Sequence, residues 1–220
     1  MTGHLTAEDV FARDLTAELR GAVPDPGWLA DALATAAATP GSVGVLFPAV
    51  GRHCGRGALP GARGAFRDWT VDDAVRVLLL VTVKDKTQRD MAQEITALYR
   101  YGDAAEKRGV LRALPWLGIG DAAVALLHDA IRTNDPRLVA AALGPYAGHL
   151  DDAMWRQGVL KCVFMEIPLT AVAGLGERAD GELARMLAGL AEERHAAGRT
   201  IPADATALLA RLTGNEKEAG

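Results

Sequence analysis

The chain has 220 residues, a formal net charge of −4 and two cysteines. Half of its residues are hydrophobic and 24% are charged, which is ordinary composition for a globular protein that buries a sizeable core. The acidic balance argues against a nucleic-acid partner, because binding to a phosphate backbone depends on a basic excess. Two distant cysteines likewise argue against a disulfide framework or a cysteine-based zinc site.

The amino-terminal segment carries acidic residues where a signal peptide needs a basic start and an apolar run. The longest apolar stretch near the middle of the chain covers only residues 77–83, whereas a membrane-spanning helix needs about 20 residues. We therefore expect a soluble, cytoplasmic protein without a membrane span.

The first part of the chain predicts helices and one long loop. Apolar residues recur at helical spacing through residues 1–44, with breaks at Gly21 and Pro40, so this region is predicted to form the amino-terminal helices. Residues 51–68 are rich in glycine and arginine and predict the long loop. Such a loop is either a functional lid or a plain surface connection.

The next segment predicts a central helix. Residues 75–81 are apolar on nearly every side of a helix, which is typical of a helix in the middle of a core. Asp72 and Asp73 fall in its first turn. We interpret them as capping residues rather than as ligands of a magnesium diphosphate, because acidic side chains stabilise helix starts without any ligand.

Regularly spaced aspartates follow, and each is predicted to cap a short helix: Asp103, Asp121, Asp135 and Asp151. Alternate members of this series are separated by 32 and 30 residues, close to the period of stacked helix pairs. Residues 89–165 are therefore predicted to form antiparallel pairs resembling HEAT repeats.

Two more helices are predicted over residues 180–197 and 201–212, followed by a polar tail, residues 215–220, that frays. No alternating β-branched run is present, so strand content should be close to nil. The predicted fold is all-α, a single helical domain over residues 1–214 with about nine or ten helices.

Motifs that carry chemistry are scarce. The chain has no phosphate-binding glycine loop, nucleophile elbow or HExxH motif, and its five histidines are not paired at helical spacing. We therefore expect no metal and no organic cofactor. Whether the protein catalyses a reaction stays open at this point.

The polar residues that need an explanation lie in the second half of the chain. Residues 153–164 are largely apolar, yet Gln157 and Lys161 share one helical face. A buried ammonium needs a partner, so Lys161 either reaches solvent, forms a structural ion pair or binds an anionic ligand. Arg132 and Asn134 stand at a corner between two predicted helices, where capping explains them as well as a binding rim does.

Several runs in this half resemble one known family, and they cover residues 131–134, 155–164, 174–180 and 191–199. Two upstream runs, residues 47–52 and 69–76, are similar too. Together they identify the chain as similar to the EboA family. Members of that family are typically encoded beside a metal-dependent hydrolase, a membrane prenyltransferase and a sugar-phosphate cyclase. The resemblance therefore implies a pathway that makes a prenylated cyclitol or a similar specialised metabolite.

Two functions follow from the resemblance. One is a non-catalytic helical-repeat module that binds a partner enzyme or a small-molecule intermediate. The other is an enzyme that acts on an isoprenoid or cyclitol-type intermediate in a pocket between the central helices. The candidate ligand-binding residues, predicted to converge near one end of the carboxy-terminal helices, are Arg132, Asn134, Tyr146, Gln157, Lys161 and Glu193, with Trp155 and Phe164 as apolar walls. Secondary candidates are Arg52 and His53.

Overall fold

The computed structural model describes residues 7–62, 66–83 and 88–218, and it confirms the all-α class. Within these residues there are twelve α-helices and no strand, apart from an isolated bridge between Ala58 and Thr70. The count exceeds the nine or ten predicted, partly because proline and glycine divide the second half into short helices. Among the described helices, none combines the length and the apolar character that crossing a bilayer requires.

The chain divides into two compact units, Met1–Ala123 and Val124–Gly220. The amino-terminal unit contains α1 Ala7–Glu18, α2 Pro26–Ala38, α3 Val43–His53, α4 Val71–Thr82, α5 Gln88–Tyr101 and α6 Ala104–Ala113. The carboxy-terminal unit contains α7 Val124–Arg132, α8 Pro136–Ala142, α9 Asp152–Phe164, α10 Leu175–Arg178, α11 Gly181–Ala196 and α12 Ala203–Glu218. The single domain and the HEAT-like pairing expected from the sequence stay predictions.

Helix α4 is the centre of the amino-terminal unit, as its apolar sequence predicts. A capping box opens it, in which Thr70 and Asp73 exchange hydrogen bonds between side chain and backbone. Every residue from Val71 to Val81 is buried. Helix α6 approaches it closely because Gly109 has no side chain, and a Cβ there would lie 2.8 Å from Cδ of Arg76.

Three of the four predicted aspartate caps are confirmed. Asp103, Asp135 and Asp151 each precede a helix and accept a hydrogen bond from a backbone N–H of its first turn, at 2.7 to 2.9 Å. The prediction for Asp121 is wrong. Residues 120–123 form a turn, and α7 begins only at Val124. The glycines at 118 and 120 both have positive φ, so the chain leaves helical geometry just before Asp121.

The predicted loop over residues 51–68 begins later than expected, because α3 continues to His53. Its described ends are tied together by backbone hydrogen bonds, from Leu59 N–H to the Trp69 carbonyl at 2.8 Å and from Val71 N–H to the Gly57 carbonyl at 2.9 Å. Residues 63–65 of this loop lie outside the described residues. At the other end of the chain, α12 continues to Glu218, beyond the predicted end at Leu212.

Candidate functional site

A cavity of about 320 Å³ lies between α9 and α11 in the carboxy-terminal unit, and we call it the α9–α11 cavity. Its lining residues are Asp151, Ala153, Met154, Arg156, Gln157, Glu182 and Met186. The volume is at the lower end of the range for small-molecule sites. Two methionines give it an adaptable apolar wall, while the amide of Gln157 can both donate and accept hydrogen bonds.

An ion pair joins the two helices beside this cavity. Arg156 donates from Nε to Asp180 Oδ1 at 3.0 Å and from Nη2 to Asp180 Oδ2 at 2.5 Å. These bonds lower the pKa of Asp180 and raise that of Arg156. Asp180 also caps α11 by accepting from Leu183 N–H at 3.0 Å. One carboxylate thus fixes the start of α11 and its position against α9.

The cavity wall carries a second ion pair on α11. Arg185 donates to both carboxylate oxygens of Glu182, at 2.9 and 2.6 Å, which lowers the pKa of Glu182. Glu182 is therefore ionised at neutral pH and presents a hydrogen-bond acceptor to the α9–α11 cavity.

A second cavity, also of about 320 Å³, lies beyond the end of α9, and we call it the α9-end cavity. It is lined by Glu166, Ile167, Pro168, Thr200, Ile201, Pro202 and Asp204. Beside it, the buried guanidinium of Arg194 donates to the carbonyls of Phe164 and Thr200, at 2.6 and 3.3 Å. The same guanidinium lies 5.6 Å from the ring centroid of Phe164, whose side chain is exposed (64%).

Glu166 shapes the mouth of the α9-end cavity through its backbone. Its φ is +59°, a left-handed conformation that glycine usually supplies at this position after a helix. The N–H of Ile167 then closes the helix end by donating to the Cys162 carbonyl at 2.9 Å. The glutamate side chain is 73% exposed and accepts only a long contact, 3.5 Å, from Arg194.

Two of the residues predicted for the ligand site lie in the core. Trp155 is fully buried, its Nε1 donates to the Ala173 carbonyl at 3.1 Å, and the guanidinium of Arg178 lies 4.9 Å from its ring. Tyr146 is also buried. Trp155 therefore anchors α9 in the core through Ala173, and its role as an apolar wall of a ligand site stays a prediction.

The other predicted residues lie at or near the surface of the carboxy-terminal unit. Gln157 lines the α9–α11 cavity, and Glu193 is an exposed residue of α11. Lys161 is half-buried, one helical turn after Gln157, and its side-chain ammonium forms no hydrogen bond or ion pair with the described residues. Arg132 and Asn134 are exposed at the corner after α7. The convergence of these residues at one ligand site stays a prediction.

The secondary candidates belong to the amino-terminal unit. His53 stacks on Trp28 with ring centroids 4.5 Å apart, and its Nδ1 is 3.4 Å from Asp25 Oδ2. Asp25 itself caps α2. Arg52 is exposed on the last turn of α3. These contacts tie α3 to the start of α2, and a ligand role for Arg52 and His53 stays a prediction.

The sequence interpretation missed a cluster of buried charges, which we call the Asp–Arg cluster: Asp72, Asp73, Arg76, Arg108 and Arg112. Arg76 donates to Asp72 at 2.6 Å, and both residues are fully buried. Arg108 and Arg112 each donate to Asp73 at 2.8 Å. The capping role predicted for Asp73 is confirmed, but capping does not explain the burial. One local signal was available: an arginine four residues after Asp72 in an otherwise apolar helix.

Burial also affects the outermost member of the cluster. The pKa of Arg112 is lowered, chiefly because its guanidinium is desolvated, although Asp73 opposes the shift.

Within the described residues, no group of three or more histidine, cysteine, aspartate or glutamate side chains has the arrangement of a metal site.

Comparison with known protein families shows which family the chain belongs to. A family model described as EboA, metabolite traffic protein, matches residues 63–210, which is more than half of the chain. The chain belongs to the EboA family. The resemblance drawn from the sequence is thereby confirmed, although the run over residues 47–52 precedes the matched range. No curated protein and no solved structure matches the chain significantly.

The part of the chain that matches the EboA family contains most of the candidate site, although Arg52 and His53 precede it. The Asp–Arg cluster and the lining residues of both cavities fall between residues 63 and 210. The family description links the chain to metabolite traffic. The two cavities have the same volume, about 320 Å³, and the α9–α11 cavity is the one lined by Gln157, a residue that the sequence singles out.

Proposed function

We propose that this EboA-family protein is a non-catalytic binding module of a specialised-metabolite pathway and that it holds a small-molecule intermediate in the α9–α11 cavity. The observation that supports this most directly is the cavity itself, which combines two methionines, a free amide and an ionised carboxylate on helices fixed by the Arg156–Asp180 pair. A rigid frame with an adaptable lining suits a protein that binds and passes on a ligand.

The lining indicates which intermediate fits. Met154 and Met186 offer apolar, polarizable contacts to a hydrocarbon chain, while Gln157 and Glu182 accept hydrogen bonds from hydroxyl groups. A prenylated cyclitol has both parts, and that is the class of compound that the family resemblance implies. We further propose that Lys161, one turn along α9 from Gln157, takes an anionic group on the same ligand.

Isothermal titration calorimetry tests this proposal with farnesol, inositol and a farnesyl ether of inositol as probes. We expect the ether to bind more tightly than either part, and Gln157→Ala and Met186→Ser to weaken it. Matched control variants are Gln93→Ala, an exposed glutamine of α5, and Met165→Ser, a half-buried methionine outside the cavity. If the cavity variants bind the ether like the wild type, the site is wrong.

The role of Lys161 needs its own comparison. Lys161→Met should leave binding of the neutral ether unchanged and remove any preference for its phosphorylated form. Mass spectrometry of the same mixtures separates the binding module from the alternative, an enzyme that acts on the isoprenoid or cyclitol part. Conversion of a probe that Lys161→Met or Gln157→Ala abolishes would favour the enzyme.

A second candidate function is docking of a partner enzyme from the same pathway, and the exposed ring of Phe164 favours it. The guanidinium of Arg194 lies over one face of that ring and donates hydrogen bonds to two backbone carbonyls. Aromatic anchors of this kind are enriched at interfaces. Phe164→Ser should then abolish co-purification with an enzyme encoded nearby, whereas Tyr101→Ser, at an even more exposed aromatic residue, should not.

A further inference from the structure

The Asp–Arg cluster leaves two of its polar atoms without a hydrogen bond from the described residues. They are Asp72 Oδ1 and Arg76 Nη2, and both belong to side chains with no solvent exposure. Each is the second atom of a group whose other atom takes part in the 2.6 Å contact between Arg76 Nη1 and Asp72 Oδ2. The two atoms therefore belong to the same buried ion pair. Buried polar atoms are nearly always hydrogen-bonded in folded proteins, so this pair needs an explanation.

A third group of the cluster lies near Asp72 Oδ1. Arg108 Nη2 is 3.9 Å from Asp72 Oδ1, which is too long for a hydrogen bond, and it already donates to Thr70 Oγ1 at 2.9 Å. Polar atoms separated by this distance are commonly bridged by a water molecule.

The side chains have little freedom to close the gap themselves. Gly109 of α6 lies directly against Arg76, and Nε of Arg76 points to the Phe47 carbonyl at 3.4 Å. Asp72 and Asp73 are fixed in the first turn of α4, where Asp73 is already bonded to Arg108 and Arg112. Rotation of Arg76 toward Asp72 Oδ1 would break its present contacts.

The hydrogen-bond roles of the three atoms determine what can bind between them. Arg76 Nη2 and Arg108 Nη2 are donors, whereas Asp72 Oδ1 is an acceptor. The occupant must therefore accept from one or both guanidinium groups and donate to a carboxylate. Chloride cannot donate, and an ammonium or metal cation cannot accept.

We propose that a single water molecule binds inside the amino-terminal unit, accepting hydrogen bonds from Arg76 Nη2 and Arg108 Nη2 and donating one to Asp72 Oδ1. Three hydrogen bonds are the usual number for a buried water. The water completes the polar contacts of a cluster with three guanidinium groups and two carboxylates, and so belongs to the structure of α4 and α6.

A crystal structure at a resolution that shows ordered water, from crystals soaked in bromide, tests the proposal directly. We expect a peak within hydrogen-bond distance of Asp72 Oδ1 and Arg76 Nη2, without anomalous scattering. An anomalous bromide peak there would overturn the proposal in favour of an anion site. A direct hydrogen bond between the two atoms, or a position without density, would overturn it as well.

Oxygen-17 relaxation dispersion in solution gives an independent test, because it counts water molecules with long residence times. Arg76→Lys keeps the positive charge but removes the second guanidinium nitrogen, so we expect one long-lived water fewer than in the wild type. Arg112→Lys is the matched control, since Arg112 contacts Asp73 and not this position. An equal count in both variants and the wild type would contradict the proposal. If Arg76→Lys does not fold, the bromide-soaked crystals of the wild type still decide it.

Discussion

The two units of the molecule satisfy their charged residues in opposite ways. In the amino-terminal unit, Asp72, Asp73 and Arg76 have no solvent exposure. Asp72 pairs with Arg76, and Asp73 pairs with Arg108 and Arg112. In the carboxy-terminal unit, the only buried charged residue among those described is Arg194, and its short hydrogen bonds go to carbonyl oxygens. The ion pairs of the carboxy-terminal unit, such as Arg156–Asp180, remain partly exposed.

This difference teaches where the molecule is sensitive to substitution. A buried pair that loses one partner leaves an uncompensated charge in the core, whereas a surface pair that loses one partner leaves a charge that water solvates. We therefore expect the amino-terminal unit to depend strongly on its charged residues and the carboxy-terminal unit to depend on them weakly.

The largest effect should come from breaking the Arg76–Asp72 pair from one side. Arg76→Met should lower the free energy of unfolding by about 3–5 kcal/mol, because Asp72 stays buried without its nearest cation. Urea denaturation followed by circular dichroism measures this loss. The double variant Asp72→Leu with Arg76→Met should recover much of it, since no unpaired charge remains. Equal losses in the single and double variants would show that packing rather than charge holds α4.

Two glycine substitutions, one in each unit, compare how tightly the helices of the two units pack. Gly109→Ala places a Cβ 2.8 Å from Arg76 Cδ, so overpacking should cost about 1–3 kcal/mol. Gly189 is also inside a helix, α11, but a Cβ there meets no atom within 4 Å. Gly189→Ala should therefore stabilise the protein by up to about 1 kcal/mol. Thermal melts of both variants measure these two changes in stability. A lower melting temperature for Gly189→Ala than for the wild type would contradict the prediction.

A smaller effect is expected at Asp180, whose carboxylate is 42% exposed. Asp180→Asn keeps a good helix cap but loses the ion pair, so it should cost no more than about 1 kcal/mol at neutral pH after solvent screening. Because Arg156 lowers the folded-state pKa of Asp180, the contribution is present above the unfolded pKa of about 3.9 and is lost as pH falls through the folded value. Urea titrations from pH 7 to pH 2 give the free energy of unfolding of the wild type and of Asp180→Asn, and the two values should converge at the acidic end. A constant difference across that range would show that the ion pair is not its source.

The smallest effect is on reactivity rather than stability. Burial raises the pKa of the Cys54 thiol to about 11 and that of Cys162 to about 12, so neither should react with a disulfide reagent in the native protein at pH 8. Each unit contains one of the two cysteines. Cys54→Ser leaves only the thiol in the carboxy-terminal unit, and Cys162→Ser leaves only the thiol in the amino-terminal unit. Rates of labelling in mild urea should then rank the units by ease of opening. Rapid labelling of either thiol without urea would contradict the burial.

Sequence reasoning succeeded where the controlling interaction is local. Asp103, Asp135 and Asp151 cap helices because a side chain reaches an N–H two or three residues away, and that spacing is visible in the sequence. Asp121 shows the limit of the same reasoning, since two glycines with left-handed backbone delay the helix.

The candidate site was less accessible to sequence reasoning because its contacts are distant. Asp73 pairs with Arg108 across 35 residues, and no periodic pattern records such a pairing. Gln157 was identified because a polar residue stood on a mostly apolar helix. The partners that form its cavity lie on α11 and depend on how the two helices pack. The sequence leaves the role of Trp155 open for the same reason, because an aromatic residue in an apolar run fits a core as well as a cavity wall.

The surroundings of Trp155 have a spectroscopic consequence. The chain contains four tryptophans, and the other three, Trp28, Trp69 and Trp116, belong to the amino-terminal unit. Trp155 is fully shielded from solvent, and its indole nitrogen donates to a carbonyl. A variant with phenylalanine at the other three positions would therefore carry one intrinsic fluorophore in the carboxy-terminal unit. Its emission would lie at short wavelength while that unit is folded and would move to longer wavelength when it opens.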